Sequence, residues 1–210
     1  MMRYEIKYAV EILGKEAIRA SILMHPASFS KAYEDRQVNN IYLDTPQFHC
    51  FHQNVEGHPR RQKMRLRWYG KSKLPIDNSV LEIKQKDAEL GWKDSTTIDG
   101  TIMRDNESMI KSLKENELLK SNLIPVLHNS YRRSYYVSQD GLFRITIDSQ
   151  QAFKIPFSKM EALPMTKYPN IVELKYDEDK AELAGFITDY LPFRQTKNSK
   201  YTIGVEQLYF

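Results

Sequence analysis

The sequence predicts an α+β protein built on an antiparallel sheet or barrel. Many short segments alternate apolar and polar residues with period two, helical segments are few, and turn signals stand at Leu90-Gly91 and Gln139-Asp140-Gly141. The 210 residues fit one domain, 1–210, with no linker, low-complexity run or internal repeat. With 28% charged and 41% hydrophobic residues, the composition is that of a globular chain rather than a disordered or membrane-embedded one. No stretch approaches the ~20 apolar residues that span a bilayer. The opening Met1-Met2-Arg3-Tyr4-Glu5 lacks the apolar core of a secretory signal. Cys50 is the only cysteine, which excludes an intramolecular disulfide and makes a reducing cytoplasm the expected compartment. Its spacing from His49, His52 and His58 matches no standard zinc pattern, so these histidines are expected at the surface.

Taken in order, the alternation predicts strands over 3–12, 38–44, 62–69, 80–86, 94–98, 126–137, 142–148, 152–157, 171–176 and 202–208. Helices are expected over 14–24, where Ala17, Ile18, Ile22 and Leu23 share a face, and over 100–119, around Ile102, Met103, Ile110, Leu113 and Leu118. A third is expected over 179–190, which begins acidic and is followed by Pro192, and a short one over 47–53 after Pro46.

Several strands carry one charged face and one apolar face, because successive side chains point to opposite sides. Arg3, Glu5 and Lys7 oppose Tyr4, Ile6 and Tyr8; Lys63, Arg65 and Arg67 oppose Met64, Leu66 and Trp68. Glu82, Lys84 and Lys86 oppose Leu81 and Ile83; Arg144, Thr146 and Asp148 oppose Phe143, Ile145 and Ile147; Glu173 and Lys175 oppose Val172, Leu174 and Tyr176. A sheet with one solvated face would show the same alternation. The polar faces hold long cations and a few carboxylates, with almost no Ser, Asn or Gln, and a barrel lumen lined in this way would seek a linear polyanion. Two like charges 4 Å apart cost about 4 kcal/mol at an effective dielectric near 20. Guanidinium groups bind phosphate oxygens in pairs, and carboxylates suit a divalent metal that bridges phosphates. Trp68 and Tyr69 are expected to pack rather than stack on a nucleotide. Lys31, Lys71, Lys73, Lys111 and Lys114 are expected as solvated charge, and Asp148 as a turn cap.

A resemblance sharpens this reading. Arg3-Tyr4-Glu5-Ile6-Lys7-Tyr8 resembles the opening strand of VTC-domain polyphosphate polymerases, a branch of the triphosphate tunnel metalloenzyme (CYTH-like) superfamily. The wider superfamily opens with Glu-x-Glu-x-Lys, and Arg3 at the first Glu position resembles the VTC branch. Asn40-Ile41-Tyr42-Leu43-Asp44 and Arg65-Leu66-Arg67-Trp68-Tyr69-Gly70 are similar to its next strands, the latter being the most specific match. Leu81-Glu82-Ile83-Lys84, Tyr131-Arg132-Arg133, Phe143-Arg144-Ile145-Thr146-Ile147-Asp148, Val172-Glu173-Leu174-Lys175 and Asn198-Ser199-Lys200-Tyr201 continue in the family's order.

The resemblance implies an eight-stranded antiparallel β-tunnel with helices packed on the outside. It implies transfer of the ATP γ-phosphoryl group to a growing polyphosphate chain, with Mn²⁺ or Mg²⁺ as cofactor. Lys7, Arg65, Arg67, Lys84, Arg132, Arg144 and Lys200 would be the catalytic cations, and Lys86, Arg133, Lys175 and Ser199 would bind substrate. Strand parity leaves Arg132 and Arg133 open as the matched arginine, with Arg132 preferred. Glu173 would hold the metal with Glu5 assisting, and Glu82 is either a metal-side carboxylate or a charge balancer for Lys84. Two other functions compete: hydrolysis of a triphosphate in the same tunnel, against which Arg3 leans, and non-catalytic binding of polyphosphate or nucleotide. No P-loop is present, since Gly70-Lys71-Ser72 lacks the preceding glycine. Nucleic acid is not expected, because the aromatics lie on the apolar faces rather than among the cations. Family members can sit beside membrane domains, so a membrane-protein partner is an expectation.

Overall fold

The computed structural model describes residues 3–70, 76, 79–87, 90–98, 104–115, 117, 122–165 and 169–210, with Arg3 and Leu90 described by backbone alone. The strands are β1 (Arg3–Val10), β2 (Ser30–Asp44), β3 (Arg60–Tyr69), β4 (Ser79–Asp87), β5 (Leu90–Ile98), β6 (Ile124–Val137), β7 (Arg144–Lys154), β8 (Leu163–Pro164) and β9 (Asn170–Asp177). The helices are α1 (Lys15–Leu23), α2 (His49–Val55), α3 (Asn106–Glu115), α4 (Ala184–Asp189) and α5 (Lys200–Tyr209), and a 3₁₀ segment, Glu178–Leu183, leads into α4. The strands form one sheet in the order β1-β9-β7-β6-β2-β3-β4-β5, with β8 beside β7. The registers of β1/β9, β7/β9, β2/β3, β3/β4 and β4/β5 are all antiparallel. The expected α+β class with a large antiparallel sheet is what the chain adopts.

Two compact units divide the chain: Met1–Arg36, Tyr131–Gln151 and Pro164–Asn198 make the first, and Gln37–Ser130, Ala152–Leu163 and Ser199–Phe210 the second. In the first, the apolar faces of β1, β7 and β9 meet α1 and α4. Tyr8, Ile147, Val172 and Leu174 pack there with Ile18 and Ile22, which stand four apart on α1, and with Ile187 of α4. Each such buried aliphatic contributes about 1.5–3 kcal/mol. Ser138 and Gly141 close the turn before β7, with the Gly141 amide donating to the Ser138 carbonyl at 2.9 Å and Gly141 at φ 76°.

In the second unit, Ile41, Leu43, Leu66, Trp68 and Leu81 build a separate core with Met109 and Leu113 of α3. Helix α5 opens at Ser199, whose side chain accepts from the Thr202 amide. It seats closely enough that a Cβ on Gly204 would lie 2.7 Å from Leu127 Cδ2. On its other side the Tyr201 hydroxyl donates to the buried Asp44, and its ring lies 5.0 Å from that of Tyr42. Asp44 also accepts the amides of Thr45, Cys50 and Phe51, which fixes the start of α2.

Several expectations are corrected. The segment 202–208 is helix rather than strand: Ser199 caps it and Gly204 fits against Leu127 and Phe153. The two strands expected over 142–148 and 152–157 are one, β7, continuing through Gln150 at φ 53°. Strand β2 begins at Ser30, eight residues before the alternation becomes legible, and β1 ends at Val10, leaving Ile12 exposed. Gly91 lies inside β5 rather than in a turn. The helix expected over 100–119 is α3; Ile102, Met103 and Leu118, like Lys71 and Lys73, lie outside the described residues. His49, His52 and His58 are exposed while Cys50 is buried.

Candidate functional site

The charged strand faces sort into two clusters, one in each unit. In the first unit, β1 and β9 pair so that Glu5 stands opposite Lys175 and Lys7 opposite Glu173. This places alternating charge on the face away from the apolar core. Lys7 Nζ lies 2.9 Å from Glu5 and 3.8 Å from Glu173; Lys175 Nζ lies 3.0 Å from Glu173 and 3.6 Å from Glu5. Lys7 also donates to the Asn198 carbonyl at 3.2 Å. Arg133 enters from β6, bonding Asp148 of β7 through Nε at 2.5 Å and Nη2 at 2.6 Å and reaching Glu173 at 3.3 Å. Burial opposes the Arg133 charge, but Asp148, Tyr131 and Glu173 raise its pKa well above the ordinary value. Glu173, against the opposing effect of burial, likewise raises the Lys175 pKa. Lys7, Arg133 and Lys175 balance Glu5, Asp148 and Glu173. Arg144, exposed and opposite Lys175 in the β7/β9 register, tips this group positive.

The two neighbouring arginines differ in their contacts. Arg133 belongs to the cluster. Arg132, preferred from the sequence, points to the other face, half exposed and 3.8 Å from Asp35. Asp148, read as a turn cap, is fully buried and holds Arg133.

In the second unit, the registers of β3, β4 and β5 set Lys63, Lys84 and Lys93 in one cross-strand row, Arg65 and Glu82 in the next, and Arg61 opposite Lys86 on the other side. All share the face of Arg67. Glu82 is the one carboxylate among these residues and is 5% exposed. It takes Arg65 at 2.7 Å, Arg67 at 3.4 Å and Lys93 at 2.8 Å. Burial alone would raise the Glu82 pKa; the Arg65 and Arg67 charges and the hydrogen bonds from Lys93 and Arg65 hold it down at about 2. Arg65, Arg67 and Lys93 are thus among its partners. Tyr42 accepts from Arg65 at 3.1 Å, and Asn40 accepts from Arg67 Nε at 2.9 Å, which fixes both guanidinium planes. Lys63 donates to Ser199 Oγ at 2.9 Å, at the start of α5, where Lys200 is buried. Like charges directly opposite on a sheet repel, so this face favours an anion that spans the row.

Within the first unit the structure gathers Glu5, Lys7, Arg133, Glu173 and Lys175, with Arg144 at the edge; within the second, Arg65, Arg67, Lys84 and Lys86 share one strand face, Lys63 reaches Ser199, and Lys200 follows it in α5. Sequence reasoning missed Lys93, Asn40 and Tyr42. Lys93 carried a signal in its spacing from Asp94–Ile98, but the strand was started one residue too late to include it. Trp68 packs as expected, 4% exposed, whereas Tyr69 is exposed.

A divalent cation is tested by its donors. Among the described residues no three His, Cys, Asp or Glu side chains are grouped to hold a metal. Mg²⁺ is commonly held by one or two carboxylates with substrate phosphates completing the shell. Glu173 and Glu5, both contacted by Lys7 and Lys175, fit that arrangement rather than an all-protein cage.

The family model for the VTC domain matches residues 2–209. No curated protein matches the chain. Among solved structures, a candidate adenylate cyclase from Vibrio parahaemolyticus superposes with TM-score 0.59 at 15% identity, covering 97% of each chain. A protein from Pyrococcus horikoshii gives TM-score 0.54 at 13% identity, covering 97% of this chain and 96% of its own. A candidate adenylate cyclase from Bacillus halodurans gives 0.51 at 14% identity, covering 95% and 97%. At these identities the solved structures speak for the fold. The family match spans nearly the whole chain, and the protein belongs to the VTC domain family.

Proposed function

We propose that the protein is an ATP-dependent polyphosphate polymerase, a metal-dependent phosphotransferase acting as one catalytic domain in the cytoplasm. The observation that carries the reading is the cation face of β3–β5, where Arg61, Lys63, Arg65, Arg67, Lys84, Lys86 and Lys93 stand against Glu82 alone. Such a face suits a chain of phosphates. It supplies the positioning and charge neutralisation that phosphoryl transfer needs in place of a nucleophilic side chain.

In this reading the terminal oxygen of the acceptor polyphosphate attacks the γ-phosphorus of ATP. A new P–O bond forms, the bond from the γ-phosphorus to the β–γ bridging oxygen breaks, and ADP leaves. Arg65 and Arg67, their planes fixed by Tyr42 and Asn40, hold phosphate oxygens, and Lys63, Lys84 and Lys200 add charge. In the first unit Lys7, Arg133, Lys175 and Arg144 bind phosphate beside Glu173 and Glu5, which would hold Mn²⁺ or Mg²⁺. A divalent metal held there would supply neutralisation of phosphate charge. Arg132 is left at the Asp35 face with no part in phosphate binding. Polymer delivery to a membrane-protein partner is compatible with this reading; no described helix is long and apolar enough to cross a membrane.

A second reading, hydrolysis of a triphosphate, is favoured by the three carboxylates Glu5, Asp148 and Glu173 gathered on one face. Incubation with γ-labelled ATP and Mn²⁺, with and without a short polyphosphate primer, separates the two. Label in lengthening polymer supports the polymerase; label in orthophosphate alone supports the triphosphatase.

A further inference from the structure

On the opposite face of the second unit's strands lies a cavity of about 440 Å³, lined by His128, Ser130, Lys154, Ser158, Lys159 and Glu161, among others. Its separation from the cation face follows from parity. Trp68 alternates with Arg67 on β3, so the two point to opposite sides, and His128 stacks on Trp68 with ring centroids 5.4 Å apart. The volume falls in the range of small-ligand pockets, roughly 300–1,000 Å³.

The cavity is built rather than incidental. Its outer wall is the segment after β7, folded back by a turn in which the Ser158 amide donates to the Ile155 carbonyl at 3.2 Å. Phe157, at φ 58°, anchors that turn in the core of the unit. Ser158 Oγ accepts from the Met160 amide at 3.0 Å, which holds this hydroxyl in place in the lining. His128 is buried, and its Nε2 has no hydrogen-bond partner among the described residues. A buried polar atom left unmatched costs about 1–3 kcal/mol, which a ligand would recover. Lys154 and Lys159 make no ion pair among the described residues, and Glu161 is the one carboxylate in the lining.

We propose that this cavity is a second anion site, taking a small phosphorylated compound on the face away from the polymer-binding cations. The donor set carries the assignment: two lysines, two serines and a histidine line the one cavity, the kind of set that a phosphoryl group with several acceptor oxygens requires. The lone Glu161 disfavours a ligand without that charge. The role of this site rests on the polymerase reading, whereas its occupancy does not. Its natural role is to let a free phosphorylated metabolite influence a chain whose other face handles phosphate polymers.

The test uses histidine-labelled protein and inorganic pyrophosphate, read by the His128 ring signals in ¹H–¹⁵N NMR. The expected result is a saturable His128 shift in the wild type. The shift persists in Lys63→Gln/Lys84→Gln and weakens at least tenfold in Lys154→Gln/Lys159→Gln. The other histidine signals report whether each variant remains folded. No saturable shift overturns the proposal. So does a shift that vanishes with the Lys63/Lys84 pair and survives the Lys154/Lys159 pair, or an equal response to citrate.

Discussion

Arg133 grips Asp148 with two parallel hydrogen bonds, at 2.5 Å and 2.6 Å, and reaches past it to Glu173 at 3.3 Å. The pair joins β6 to β7 and leaves the guanidinium aimed at the β9 carboxylate. Removing one partner strands a buried charge, which costs about 3–5 kcal/mol. Asp148→Asn is therefore expected to lower stability by about 3 kcal/mol in urea unfolding. A loss below about 1 kcal/mol would remove the pair from the account of the fold.

Glu82 gives the corresponding prediction for the second unit. Its pKa is held at about 2 against an ordinary 4.5. The stabilisation is thus fully present above pH 4.5 and is lost as the pH falls toward 2. The window corresponds to about 3 kcal/mol at most. Glu82→Gln should unfold at lower temperature at pH 7 and show a flatter acid limb between pH 4.5 and 2.

His128 acts in the same direction over a higher pH interval, with burial rather than ion pairing as the cause. Burial, assisted by Lys154, lowers its pKa from 6.5 to about 4. The unfolded chain takes up a proton near pH 6.5 that the folded protein refuses until about 4, so stability falls as the pH drops through that interval and is level above it. In His128→Gln the slope between pH 6.5 and 4 should shrink by one proton's worth; an unchanged slope would show that another group carries it.

Gly204→Ala tests the seating of α5. The added methyl would meet Leu127 at 2.7 Å and Phe153 at 2.8 Å. Overpacking of this kind costs about 1–3 kcal/mol. Because α5 carries Lys200, the variant should also bind polyphosphate more weakly, measured by calorimetry. Unaltered stability and binding would mean that the neighbouring side chains yield freely.

Glu173→Gln separates metal from phosphate. It should raise the half-saturating Mn²⁺ concentration for ATP turnover by at least tenfold. Glu5→Gln, a carboxylate more exposed than Glu173, should do so by less. Equal metal dependence in wild type and Glu173→Gln would place the cation elsewhere.

The strands of the charged faces were legible because period-two alternation in Lys63–Trp68 and Val172–Tyr176 is enforced by a core on one side. The segment 202–208 was not. Thr202, Ile203 and Val205 favour a strand locally, and the helix is decided by the Ser199 cap and by the close approach to Gly204, which only the folded chain displays. The start of β2 was hidden because Ser30-Lys31-Ala32-Tyr33-Glu34-Asp35-Arg36 has no apolar side, and its residues are mostly exposed or half-buried. Within the site, the identities of Glu173, Lys7, Arg65 and Arg67 could be read from their strands. The different surroundings of Arg132 and Arg133 required their folded contacts with Asp35 and with Asp148 and Glu173, and the link from Glu82 to Lys93 required the pairing of β4 with β5.

The central claim is met most directly by phosphorus NMR of the purified protein with ATP, Mn²⁺ and a short polyphosphate primer. The account predicts that internal-phosphate signals grow in step with ADP, and that Arg65→Ala lowers their rate of appearance by at least a hundredfold. ADP accumulating with orthophosphate alone, or no turnover beside tight polyphosphate binding, would contradict it.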